Sequence, residues 1–218
     1  MFNHMMCVDL PEMNAVMTDT GRYYTTPEGN MYPSITTILG AGSDNSWKDA
    51  WIARVGQEEA DRVSKKATNR GTAVHELVEK YLRNDPVYTK GHMPANILSF
   101  KNIKPFLDEH LGMIAGLEIP LYSDKLRVAG RVDCIAEWDG VWSIVDFKTS
   151  KKEKTRDDIH NYFMQESAYA MMMFERTGIV CKNIVTVMTV DDGNSQVFVE
   201  KSRDWLPKFI ELRDRVPL

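Results

Sequence analysis

The sequence predicts an α/β fold, with a central mixed β-sheet flanked by helices and an N-terminal helical elaboration. Three observations carry that prediction. Residues 118–122, 127–138 and 141–149 are consecutive runs of β-formers, the last two separated by the turn dipeptide Asp139-Gly140. A helical stretch at 157–177 then leads to two further strand-like runs, 184–190 and 196–201, around Asp192-Gly193-Asn194. The first half of the chain shows instead the spacing of amphipathic helices.

In chain order, residues 1–20 have no clean period and read as a loosely attached arm. Residues 22–26 and 31–39 are rich in Tyr, Thr and Ile and flank Pro27-Glu28-Gly29-Asn30, which reads as a peripheral hairpin. Residues 43–46 offer N-caps for a helix over 47–66, with Trp47, Trp51, Val55 and Val63 near helical spacing. A second helix spans about 70–82, with Val74, Leu77, Val78 and Tyr81 as its apolar stripe. Asn84-Asp85-Pro86 and Gly91 mark a loop, and a third helix over 95–110 carries Pro105, which should kink or split it. Lys148, Lys151, Lys152, Lys154 and Arg156 form a basic stretch after the third strand, and a helix over 202–215 closes the chain. Neither repeat nor linker divides it, so a single domain over 1–218 is expected: the arm, the hairpin and helical elaboration over 21–112, and a sheet core over 113–218.

Composition narrows the function classes. With 218 residues, 43% of them hydrophobic, the chain can bury a real core and is not of disordered composition. No apolar run approaches the roughly 20 residues needed to span a bilayer. A net charge of -4 argues against a protein that coats nucleic acid, yet leaves room for a nuclease, whose metal-binding carboxylates coexist with local basic patches. Cys7, Cys134 and Cys181 are far apart and no CxxC occurs, so no zinc ribbon or iron–sulfur cluster is expected and a reducing compartment is favoured. The first 20 residues lack the charge pattern of a secretory or mitochondrial leader, which makes cytoplasmic the expected location.

The segment over 130–148 is the most informative. A two-residue type I′ turn at Asp139-Gly140 pairs Trp138 with Val141 and, counting back, Asp133 with Asp146. Lys148 then projects from the face of Asp146. The other face offers Val132, Cys134, Ala136, Val145 and Phe147, as in buried strands. Two carboxylates facing each other there need a raised pKa, a cationic side chain or a divalent cation. An Asp–Lys salt bridge at a sheet end is the plain alternative to a metal. In the helix over 70–82, Gly71, His75 and Glu79 recur at i, i+4 and i+8. Gly71 would admit another backbone, Arg70 beside the helix N-terminus suits a phosphate, and His75 either ligates a metal or pairs with Glu79.

Together these pieces resemble the PD-(D/E)XK nuclease superfamily, in its RecB-like exonuclease branch. The residues that carry the resemblance are Tyr32-Pro-Ser-Ile-Thr-Thr, the helix Arg70-Gly-Thr-Ala-Val-His75-Glu-Leu-Val-Glu, Glu118-Ile-Pro-Leu, Gly130-Arg-Val-Asp133, Asp146-Phe-Lys148-Thr-Ser and Gln165-Glu-Ser-Ala-Tyr169, in order over about 32–190. The resemblance implies a PD-(D/E)XK-type fold and a metal-dependent DNA exonuclease acting at DNA ends, expected on single strands, in replication or recombination. An endonuclease with the same metal core and a catalytically silent DNA-end-binding protein are the alternatives. By the same resemblance, His75, Asp133, Asp146 and the Phe147 carbonyl hold Mg²⁺ or Mn²⁺, with Glu118 as a further ligand. Lys148 and Gln165 serve catalysis, and Arg70, Thr149, Lys151, Lys152 and Tyr169 contact DNA. Replication or recombination proteins are the implied partners, in a phage or bacterial setting. The clustered cysteines of the iron–sulfur members are missing.

Overall fold

The computed structural model describes residues 1–5, 10–44 and 46–217; Cys7 lies outside the described residues. The strand runs of the second half form one five-stranded sheet. Its strands are β4 (Leu111–Ser123), β5 (Val128–Trp138), β6 (Val141–Ser150), β7 (Asn183–Val190) and β8 (Gln196–Lys201), in that spatial order; β1 to β3 belong to a separate small sheet. All neighbours are antiparallel except β6 and β7, which are joined through the long helix α5 (His160–Thr177) and run parallel. The sheet is therefore mixed, as the order of elements predicts. A 3₁₀ turn, Asp157–Ile159, precedes α5, and Gly178 ends it at φ 76°, its N–H bonded to the Phe174 carbonyl.

Side chains that alternate along the central strands divide the core in two. On one face, Ile144, Ile184 and Met188 pack with Phe163 and Met172 of α5 and Phe209 of α6 (Ser202–Arg215). On the other, Cys134, Val145 and Phe147 pack under Val74, Leu77 and Val78 of α3 (Gln57–Leu82) and Phe100, Ile103 and Leu107 of α4 (Pro94–His110). Val132 joins the first layer rather than the second. Cys134 and Cys181 are buried in different layers. Each fully buried aliphatic side chain contributes about 1.5–3 kcal/mol, so these two clusters supply most of the drive to fold.

The first half departs from expectation in several places. The N-terminal arm is tied down. Met5 donates to the Ile114 carbonyl and Ile114 to that of Asn3, the Phe2 ring stacks edge-on against Tyr81, and Asn84 holds both backbone groups of Phe2. A further strand, β1 (Ala15–Thr18), pairs with β2 (Gly21–Thr25), and β2 with β3 (Met31–Pro33). Residues 35–41 are not strand. Ser34 caps a helix, α1 (Ile35–Ala41), by accepting from the Thr37 N–H, and that local bond outweighs the β-propensity of Ile35, Thr36 and Thr37. The helix expected over 47–66 is broken at Gly56, φ 85°, into α2 (Ser46–Val55) and α3. Conversely, the helices expected over 47–66 and 70–82 share the uninterrupted α3, because Gly71 costs too little to stop a helix anchored by its C-terminal half. Pro105 does not split α4: it lies on the exposed side, where the carbonyl it leaves free meets water.

No side chain of α2 is buried, and Ala60 alone is buried between residues 57 and 69. The helical hairpin thus stands clear of the sheet, while the second half of α3 is locked onto it. No described helix is long and apolar enough to cross a membrane.

Candidate active site

Asp139 and Gly140 have φ values of 50° and 75°, the pair of positive angles a type I′ turn needs. The register that this turn sets holds from Trp138↔Val141 to Cys134↔Val145. One step on, the ladder gives way. Asp133 accepts the Phe147 N–H on its carboxylate at 2.9 Å, in place of a strand-to-strand bond. On the other side, β4 and β5 pair Leu117 with Cys134 and Ile119 with Val132, which sets Glu118 opposite Asp133. Glu118 has φ 55°, and its turned-out carbonyl accepts from Arg131 at 2.5 Å. Glu118, Asp133 and Asp146 thus stand on one level across three adjacent strands. Helix α3 brings His75 over them, with Nδ1 3.4 Å from Asp133. Lys148 pairs with Asp146, lies 3.5 Å from Gln165 Oε1, and places its ammonium 4.9 Å from the Tyr162 ring centre.

These groups line a cleft of about 600 Å³. Its walls include the small sheet, through Arg22 and Tyr24, so the hairpin read as peripheral forms part of the site. Tyr32 donates to Asp124, and a bridge joins Ser34 to Ala129, which holds that sheet against β5.

Crowded carboxylates set the electrostatics. Burial pushes Asp146 up to about 6, with Asp133 adding to the shift and Lys148 opposing it. Burial, Asp133 and Glu79 push Glu118 up to about 7. Asp133 stays low despite its burial, because His75, Lys148 and the Phe147 N–H all favour its charged form. Burial works against the His75 imidazolium, but Asp133 and Asp146 outweigh it and lift the ring to about 9. Burial likewise disfavours the Lys148 ammonium, and again the two aspartates win and hold it above the ordinary lysine range.

His75, Glu118 and Asp133 each offer a ligand atom within 4.8 Å of the others. One imidazole and two carboxylates, in a setting where burial and then neighbouring negative charge make Glu118 and Asp146 resist ionisation, form a donor set suited to a divalent cation. Asp146 stands outside this group of three, engaged by Lys148.

Comparison with known proteins matches residues 96–182, from α4 past the end of α5, to the PD-(D/E)XK nuclease superfamily. Over that stretch the chain is similar to this superfamily. Two curated relatives are the mitochondrial genome maintenance exonuclease 1 of Mus musculus, 26% identical over 132 residues, and that of Homo sapiens, 27% identical over 135. Each alignment takes in 57% of this chain but 39% and 38% of the relative, so the chain spans well under half their length. A solved exonuclease candidate from Eubacterium rectale superposes with a TM-score of 0.40 at 13% identity, over 66% of this chain and 68% of that one. The stretch shared with the PD-(D/E)XK superfamily includes Glu118, Asp133, Asp146, Lys148 and Gln165, and leaves His75 outside it.

The remaining candidates divide between cleft and rim. Tyr169 and Gln165 line the cleft. Gly130 is required by Tyr169: a Cβ there would stand 2.7 Å from the phenol oxygen. Gly71 has no such role. The nearest atom to an added Cβ is Thr149 Oγ1 at 3.9 Å, so no other backbone approaches. Gly71→Ala should therefore stabilise the protein by about 0.5–1 kcal/mol, the ordinary gain of alanine in a helix interior, read as a higher Tm; a lower Tm would reveal a contact not apparent here. Arg70 is not at a helix N-terminus, since α3 begins at Gln57, and it faces away from the cleft in an ion pair with Asp191 at 2.7 Å. Lys151 and Lys152 are exposed beyond β6 and do not line the cleft. Glu166, beside Gln165, has no role in the sequence reading beyond its place in the Gln165–Tyr169 stretch. It is fully buried, accepts from Thr186 at 2.5 Å, and is held well above the usual carboxylate range by burial and by Asp146.

The shifted groups give a metal-free protein a distinctive pH response. Glu118 is penalised as pH rises from its unfolded value near 4.5 towards 7, because the fold resists its ionisation. His75 contributes fully below about 6.5 and loses that contribution as pH rises towards 9. In EDTA, Tm should fall across this window. Glu118→Gln should flatten its lower half, and saturating Mn²⁺ should reverse the trend, since the deprotonated forms are the ligands. A Tm profile identical in Glu118→Gln would show that Glu118 is not strained.

Proposed function

We propose that the chain is a divalent-metal-dependent deoxyribonuclease that hydrolyses phosphodiester bonds at the ends of single-stranded DNA, in replication or recombination. The observation that carries this reading is the His75, Glu118 and Asp133 group beside the Asp146–Lys148 pair, at the floor of one cleft. His75, Glu118 and Asp133, joined by Asp146 and the Phe147 carbonyl, would hold Mg²⁺ or Mn²⁺. Such an ion supplies Lewis acidity towards a phosphate oxygen and acidifies a bound water.

The chain's own groups do the rest. Lys148 remains an ammonium in this setting, so its part is to stabilise the negative charge that builds on the phosphate oxygens, rather than to take a proton from water. Gln165 orients that ammonium, and Tyr169 closes the wall behind Asp133. Asp133 keeps His75 in place through their contact and is itself held by the Phe147 N–H. Water adds to phosphorus and the 3′-oxygen leaves, giving 5′-phosphate and 3′-hydroxyl ends. Thr149, at the cleft rim by Gly71, and the exposed Lys151 and Lys152 serve the backbone of the strand beyond the scissile bond.

A preference for single strands and for ends is supported by the chain's path. Ser34 and Thr36 stand on one wall of the cleft and Gly71 and Thr72 on another, and they are joined by α1, the clear-standing α2 and the first half of α3. A flexible strand enters beneath such an arch more easily than a duplex. The test compares an end-labelled linear single strand with the same strand circularised, in Mg²⁺. Loss of the linear strand alone is expected. Equal cutting of the circle would replace the exonuclease by an endonuclease with the same core.

A further inference from the structure

Helices α3 and α4 are closed by apolar packing along Leu77, Val78, Phe100 and Ile103, but they part towards the start of α4. The opening is a groove of about 760 Å³. On its α3 wall, Arg62, Lys65, Lys66, Asn69 and Arg70 follow one another at i, i+3, i+4, i+7 and i+8, a single helical face. On the α4 wall stand the polar Asn96, Ser99 and Asn102 beside exposed Met93 and Leu98.

Four cations against one carboxylate, Asp191, is a sharp local excess in a chain of net charge -4. Two of the four are spoken for, Arg62 by Glu59 and Arg70 by Asp191. Among the described residues neither Lys65 nor Lys66 has a carboxylate within ion-pair distance, so both ammonium groups are open to an anion. Charge also accounts for the groove staying open, because closing it would bury unpaired cations. Lys66 lies five residues before Gly71, about 7.5 Å along the helix axis and about 140° around it, so the groove is on the far side of α3 from the cleft that Gly71 lines, within reach of a strand that passes around the helix.

We infer that this groove holds the phosphate backbone of single-stranded DNA running on from the cleft. Lys65 and Lys66 face successive phosphates, and Asn96, Asn102 and Leu98 receive sugars and bases. The inference rests on the nuclease reading above and extends it to a surface outside the catalytic cleft.

The test is the affinity of a fluorescent oligonucleotide, with EDTA present to prevent cleavage, as a function of salt. Each phosphate contact to a single strand contributes about 0.7 to the slope of log K against log salt, so Lys65→Gln/Lys66→Gln should make the slope shallower by about 1.4 and weaken binding roughly tenfold. Leu98→Glu, on the facing wall, should weaken binding as well. All three positions are exposed, so the fold is expected to survive, which circular dichroism checks. Wild-type binding with both variants unchanged, or with Leu98→Glu unchanged, would overturn the groove assignment and leave the nuclease reading standing. A wild type that binds no single-stranded DNA would overturn both. Binding of polyglutamate that these variants abolish, with DNA binding untouched, would replace the nucleic acid by an acidic protein partner.

Discussion

Lys148→Ala is expected to lower the single-turnover rate of DNA cleavage by about 10²–10³ while DNA binding persists. Among the described residues, Lys148 is the lysine that pairs with Asp146. The Lys148 ammonium touches Asp146 and lies near Gln165 and the Tyr162 ring, and its side chain is 18% exposed against 2% for Asp146. Removing one member of a buried pair strands the other, typically at about 3–5 kcal/mol, so the metal-free variant should also melt earlier. Divalent cation should recover part of that loss, since a second positive charge reaches the same carboxylates. Lys148→Arg should not restore the rate, because a planar guanidinium cannot repeat the compact ammonium's contacts with both Asp146 and Gln165. Cleavage within tenfold of wild type in Lys148→Ala would remove Lys148 from the chemistry.

Asp133→Asn should abolish metal binding and cleavage together. Asp133 sits between Glu118 and Asp146 on the strand level, contacts His75, and accepts the Phe147 N–H. The amide keeps the size but loses the charge that draws a cation. Wild type at Mn²⁺ a hundredfold above its Kd should gain about 2.7 kcal/mol of stability; the variant should gain almost none. A second readout is independent of metal. His75 titrates high, near 9, despite its burial, chiefly because of Asp133. In EDTA, its NMR titration should fall well below that value in Asp133→Asn. A His75 midpoint that does not move would mean that another group holds the imidazolium.

The hairpin that carries Asp133 and Asp146 was legible because a single dipeptide governs it. Once Asp139-Gly140 makes a type I′ turn, every pairing back to Cys134 and Val145 follows, and with it the approach of Asp133 to Asp146 and Lys148. The ranking of Glu118 was not legible. Its place depends on the register of β4 against β5, which shifts between Leu111 and Gly116, and on a left-handed backbone that no glycine announces. Arg70 was placed at a helix start because the stretch linking the two apparent helices carries no apolar stripe. Residues 61–69 are all exposed, so no periodic pattern marks the helix that runs through them. The small sheet looked peripheral since its contacts, Tyr32 with Asp124 and Tyr122 with Glu28, bridge about 90 residues of sequence. Glu166 gave no local signal at all, because a glutamate in a helix is ordinary until the fold buries it against Thr186.

On the proposed reading, this cleft hydrolyses DNA with a divalent cation held by His75, Glu118 and the two aspartates. The most direct measurement is a time course on an end-labelled linear single strand in three conditions: Mg²⁺, EDTA, and EDTA followed by excess Mn²⁺. Progressive shortening in Mg²⁺, none in EDTA, and recovery on adding Mn²⁺ are predicted. Cleavage that persists in EDTA, or a strand left intact in Mg²⁺ although the protein binds it, would contradict the account.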